Sequence, residues 1–98
     1  MPAASRLGDL SAGHGCFPPT NAVATPATSV YINGILALTV DGEFSAHTCG
    51  DTTHPQSNRK VVSGSPTVFV EGKPLARIGD PIGCGDAVAE GSPNVFSG

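Results

Sequence analysis

The sequence predicts an all-β fold: a small, closed, wedge-like body of short antiparallel strands arranged about a pseudo-threefold axis. Three observations predict it. Glycine and proline number 13 and 9, and the longest stretch free of both, Gln56 to Ser63, is shorter than an average helix. The apolar segments are short and β-branched, each bounded by Gly, Pro, Asn or Asp. One sequence block also occurs three times, so one structural unit is built three times from a single chain.

The strands follow in order as Val30-Tyr31-Ile32, Ile35 to Val40, Val61-Val62, Thr67 to Val70 and Asn94-Val95-Phe96. Asn33-Gly34 between the first two is the signal for a two-residue hairpin, because that turn requires positive φ at both central residues. Ser29-Val30-Tyr31-Ile32-Asn33-Gly34 aligns with Thr67-Val68-Phe69-Val70-Glu71-Gly72, and Gly64-Ser65-Pro66-Thr67-Val68-Phe69 aligns with Gly91-Ser92-Pro93-Asn94-Val95-Phe96. A second element reads Arg77-Ile78-Gly79-Asp80 and Arg6-Leu7-Gly8-Asp9, with a degraded middle copy, Thr39-Val40-Asp41-Gly42, in which Gly and Asp are exchanged. Alternating residues of the repeated strands, Val30 with Ile32, Val68 with Val70, and Val95, are candidates for the core or for an exposed base.

Composition sets the limits. A chain of 98 residues makes one domain, spanning 1–98, near the size at which a single core becomes marginal. Its aromatic residues are Phe17, Tyr31, Phe44, Phe69 and Phe96, so the core is thin and a staple is expected. A net charge of −3, with Arg6, Arg59, Lys60, Lys73 and Arg77 scattered, excludes a nucleic-acid stripe. Met1 to Leu10 lacks the apolar run of a signal peptide. No segment approaches the ~18 apolar residues of a membrane span. The expectation is a soluble protein made in the cytoplasm. Three cysteines are an odd number for a disulfide framework; together with three histidines they suit a metal site.

The repeats give the His and Cys positions meaning. His14 stands six residues beyond Gly8, His47 six beyond Asp41, and Cys84 five beyond Gly79. Each repeat therefore delivers one nitrogen or sulfur donor at nearly the same place, and threefold symmetry brings those places together. His54, in the extra segment Asp51 to Arg59, supplies a fourth. A lone loop histidine is ordinarily just solvated; the repeat phasing is what singles out this set. Three imidazoles and one thiolate make a closed tetrahedral zinc site, and such binding contributes roughly 10–16 kcal/mol in zinc-finger peptides. Cys16 and Cys49, each two residues beyond a histidine, are repeat-equivalent: either can replace a His in the shell, or the two can form a disulfide.

The run from Gly64 to Asp80, with Pro74-Leu75-Ala76-Arg77 at its centre and Cys84-Gly85 beyond, resembles a PAAR repeat, and Gly91 to Phe96 matches that family's closing strand. The resemblance covers nearly the whole chain. The stretch Gly13 to Thr20 is similar to the versions found in contractile phage tails. The resemblance implies a small β cone with a structural zinc ion near its apex, held by His14, His47, His54 and Cys84. It implies a cap on the trimeric β-helical spike of a phage tail or type VI secretion machine, one chain per trimer, touching the target cell envelope transiently. On this reading the protein sits at a tail tip or spike tip, ends without an effector domain and is not an enzyme. The rival readings are an adaptor that loads effectors, a small zinc hydrolase with an open metal position, and a redox or metal-storage module.

Overall fold

The computed structural model describes residues 1–97. Its strands are β1 (Ala22–Ala24), β2 (Tyr31–Ile32), β3 (Ile35–Leu36), β4 (Glu43–Phe44), β5 (His47–Cys49), β6 (Thr52–His54), β7 (Phe69–Val70) and β8 (Lys73–Pro74), with one 3-10 turn at Gln56–Asn58. They pair antiparallel as β1 with β4, β2 with β3, β5 with β6, and β7 with β8. The body measures 38 × 23 × 22 Å, elongated with two nearly equal short axes, as rotational repetition about one axis requires.

The pseudo-threefold axis is written in the backbone. Ser5 N–H donates to Ala76 C=O at 2.9 Å, Ala76 N–H to Leu38 C=O at 2.9 Å, and Leu38 N–H to Ser5 C=O at 3.0 Å, closing a ring of three equivalent residues. All three are fully buried. From this junction the flanking residues pair outward in three equivalent arms, at Ala4 with Arg77, Arg6 with Ala37, and Thr39 with Leu75. A second tier repeats the pattern, with Ser11 opposite Val88, Phe44 opposite Ala22, and Ile82 opposite Val61. Short arms around an axis let main-chain groups pair between repeats with strands of only two or three residues, the lengths that frequent Gly and Pro allow.

The degraded middle copy of the second element folds like its partners. Asp9, Gly42 and Asp80 each donate N–H to the carbonyl three residues back, at 3.1, 2.9 and 3.0 Å. The third residue of each turn has positive φ: 92° at Gly8, 73° at Asp41 and 94° at Gly79. Exchanging Gly and Asp therefore moves the aspartate onto the left-handed position, which Asp tolerates better than most side chains. In the outer copies the aspartate instead pairs with its own arginine, Arg6 to Asp9 and Arg77 to Asp80, both at 3.0 Å.

Two apolar clusters flank the junction. Ala4, Ala27, Ile32, Ala37, Val70 and Leu75 pack beneath the hairpins. Ala22, Leu38, Phe44, Val61, Ala76, Ile82 and Val88 form the other, against which Cys84 packs. The β2–β3 and β7–β8 hairpins and the His/Cys positions thus close opposite ends of one ladder. Asn33 and Gly34 have φ of 55° and 79°, as the hairpin signal requires. The expected pairing of alternate residues departs in the repeated strands: Val30 is half-exposed while Ile32 is buried. Val30 precedes β2 instead of belonging to it, so the period of two does not carry across. The same split separates Val68 from Val70.

Candidate metal centre

Three different local devices bring the donors together. His14 opens a tight turn in which its N–H and C=O exchange hydrogen bonds with Phe17 at 3.1 and 2.9 Å. Gly13 beside it has φ of 77°, and a Cβ there would lie 2.8 Å from the Phe17 carbonyl oxygen, so this approach requires glycine. His47 and His54 are register partners on β5 and β6, hence on one face of a two-stranded ribbon. Cys84 lies in a turn closed by Gly85 N–H to Ile82 C=O at 3.0 Å.

The donor atoms of His14, His47, His54 and Cys84 all lie within 4.8 Å of one another. Cys84 Sγ is 3.8 Å from His14 Nε2 and 3.9 Å from His47 Nε2, and His47 Nε2 is 2.9 Å from His54 Nδ1. Bonds of about 2.0–2.1 Å to nitrogen and 2.3 Å to sulfur would space tetrahedral donors ~3.3–3.6 Å apart. Those three separations come within about half an ångström of that spacing, and the four donors, gathered within 4.8 Å, could hold a metal ion. Burial pushes the His47 imidazole below its ordinary pKa, partly opposed by its hydrogen bond to Pro18 and reinforced by the nearby Arg59. With Nδ1 3.0 Å from the Pro18 carbonyl oxygen, the neutral ring carries its proton there and turns the Nε2 lone pair to the cluster.

Residues 20–90 match the PAAR motif as its family is defined. The chain belongs to the PAAR motif family. Two curated relatives from Pseudomonas aeruginosa, the NAD(P)(+) glycohydrolase toxin Tse6 and the (p)ppApp synthetase toxin Tas1, are each 33% identical to it over 84 residues. The aligned region is 83% of this PAAR chain but 20% and 19% of those proteins, so the chain spans about a fifth of the length of the curated relatives it matches.

Two features of the PAAR site lay outside sequence reasoning, and a third answers a choice it had left open. Phe17 stacks among the histidines, its ring centroid 4.9 Å from His14, 4.6 Å from His47 and 4.0 Å from His54. Cys16 and Cys49 are joined as a disulfide, with Cα atoms 5.4 Å apart, which settles the alternatives open for them. Arg59, one of the scattered cations, is the largest fully enclosed side chain among the described residues. Its guanidinium reaches Asp86, Thr20, Ser11, His47 and Cys84. The signal was present but faint: Thr20, Arg59 and Asp86 are repeat-equivalent, each accepting an N–H at its carbonyl from Ser11, Phe44 or Ile82. Their side chains share no chemistry, so alignment alone hides them.

Proposed function

We propose that this single-domain chain is a spike-tip protein. It caps the trimeric β-helical spike of a contractile injection machine, one chain per trimer, and acts mechanically, not as an enzyme. The observation that carries this reading is the end of the molecule remote from the His/Cys cluster. There the repeat-equivalent Tyr31, Phe69 and Phe96 are 59%, 58% and 51% exposed, and the equivalent Val30, Val68 and Val95 stand beside them, each more than a third exposed. Large aromatics exposed in threes suit a threefold partner surface, and covering it also shields the open strand edges of a β-helix end. At the other end, His14, His47, His54 and Cys84 are the ligands, and the donor set suits zinc: three imidazoles and a thiolate with no open position. The chemistry zinc supplies there is structural, a crosslink between repeats where no large core fits. Phe17 and the disulfide crowd the same end, keeping the loops short and stiff under axial load.

The host machine is best read as a secretion apparatus, because both relatives are named as toxins and match this module over only a fifth of their length. That observation also favours a second reading in which the tip is the carrier that presents an effector for delivery. The test is co-expression with a trimeric β-helical spike. Native mass spectrometry should give one chain per trimer, and elemental analysis one zinc per chain. Three chains per trimer would overturn the docking, and a chain that folds to the same stability without metal would overturn the site.

A further inference from the structure

A cation enclosed beneath a candidate metal site needs an explanation. Arg59 is 0% exposed, as is its partner side chain Asp86. Burying such a pair stabilises little by itself and costs several kcal/mol per ion in desolvation, so a well-packed apolar pair would serve packing as well or better. The guanidinium lies where the three repeats converge. Nη2 donates to Thr20 Oγ1 at 2.6 Å and Ser11 Oγ at 3.1 Å, and Nε donates to the Ser45 carbonyl at 2.8 Å. Nη1 donates to Asp86 Oδ2 at 3.1 Å and to Cys84 Sγ at 3.0 Å, with His47 Nε2 also 3.0 Å away. Nη1 has two hydrogens for these three acceptors. The carboxylate and the sulfur are the stronger claimants, which leaves the His47 lone pair for a metal.

We propose that Arg59 is the positioning residue of the metal centre, holding the Cys84 sulfur in place by an N–H···S hydrogen bond and tying all three repeats to it. This rests on the metal-binding reading of the His/Cys cluster. Asp86 offsets the guanidinium charge, so the arginine orients a sulfur ligand without repelling a dication. Lysine cannot substitute, because one ammonium on a flexible stem cannot span Thr20, Asp86 and Cys84 together.

The probe is cobalt(II), whose tetrahedral bands and sulfur-to-metal charge-transfer band report on the thiolate directly. The wild-type protein should bind one equivalent and show both. Failure to do so would overturn the metal reading itself. Arg59→Lys should still bind cobalt, but roughly 10–100-fold more weakly, as expected when a group orienting a ligand is lost. Its charge-transfer band should move to lower energy, because an N–H···S bond stabilises the sulfur lone pair from which the electron leaves. A band and affinity equal to wild type would overturn the role of Arg59. Should Arg59→Lys not fold, the double variant Arg59→Met with Asp86→Asn removes both buried charges and is read the same way. In the wild-type protein loaded with an NMR-active cadmium isotope, the Arg59 Nη1 protons should exchange slowly and show scalar coupling to the metal through sulfur. Absence of that coupling, with cadmium bound, overturns the proposal whatever the variants do.

Discussion

Glu71 shows how a single side chain can occupy a position that suits it poorly. It is the repeat-equivalent of Asn33 and has nearly the same left-handed φ, 52° against 55°. Asparagine visits that region readily, whereas glutamate is held there at a cost of about 1 kcal/mol. The offset comes from its carboxylate, which accepts from Thr28 N–H at 2.9 Å, Thr28 Oγ1 at 3.0 Å, Ser29 N–H at 3.1 Å and Ser29 Oγ at 3.2 Å. The Thr28 and Ser29 N–H bonds, foremost among these, hold the carboxyl below its ordinary value of 4.5. A carboxyl with a lowered folded pKa contributes stability that is present above the unfolded value and lost as pH falls through the folded one. Melting temperature should therefore fall on acidification from about pH 5 downward, and Glu71→Gln should flatten part of that slope. Thermal melts of both proteins across this range check it; parallel curves would show that the carboxylate contributes nothing.

Among the elements that carry the candidate donors, one could not be announced by the repeats. The hairpin β5–β6 has no copy elsewhere, so neither its strands nor the pairing of His47 with His54 could be read from alignment. The hairpin at Asn33-Gly34, the turns around Gly8 and Gly79 and the phased placing of His14, His47 and Cys84 were legible, because each combines a local requirement with repetition; His54 lies in the extra segment and has no repeat behind it. Arg59 was not, because its equivalents Thr20 and Asp86 are chemically unlike it. The cysteines fell between: their repeat-equivalence was visible, but only three-dimensional placement distinguishes ligands from a crosslink. That crosslink joins the His14 turn to the end of β5 across 33 residues. On a chain-entropy estimate a loop of this size contributes ~3–4 kcal/mol. Because each cysteine lies two residues beyond a histidine donor, its loss should also loosen the cluster. Cys16→Ser with Cys49→Ser is expected to lower the melting temperature and to weaken zinc binding in a competitive chelator titration, with one metal still bound. A variant that melts with wild-type protein in the absence of reductant would show the crosslink to be energetically idle.

At the scale of the whole molecule, one chain presents three near-copies of a surface, and the copies differ in ways that matter for docking. Tyr31, Phe69 and Phe96 occupy equivalent positions and are exposed to nearly the same degree. Behind them the buried equivalents are Ile32, Val70 and Ser97, so the third corner is the least apolar inside while matching the others outside. The hairpin tips also engage neighbours differently: Glu71 grips Thr28 and Ser29, whereas Asn33 bonds Asn94 at 2.9 Å and Ser92 at 2.6 Å. A trimeric partner offers three identical faces, so it should read the shared exterior and ignore these internal differences. Tyr31→Glu, Phe69→Glu and Phe96→Glu, each placing a charge where an aromatic would be covered, should therefore weaken binding to the trimeric spike by similar factors, roughly tenfold or more apiece. Because these side chains already face water, the free monomer should keep its melting temperature and metal content. Surface plasmon resonance of the three variants against an immobilised spike makes the comparison. Comparable losses identify a threefold base, whereas a loss confined to one corner would mean that the partner grips one repeat from the side and that the symmetry serves the fold alone.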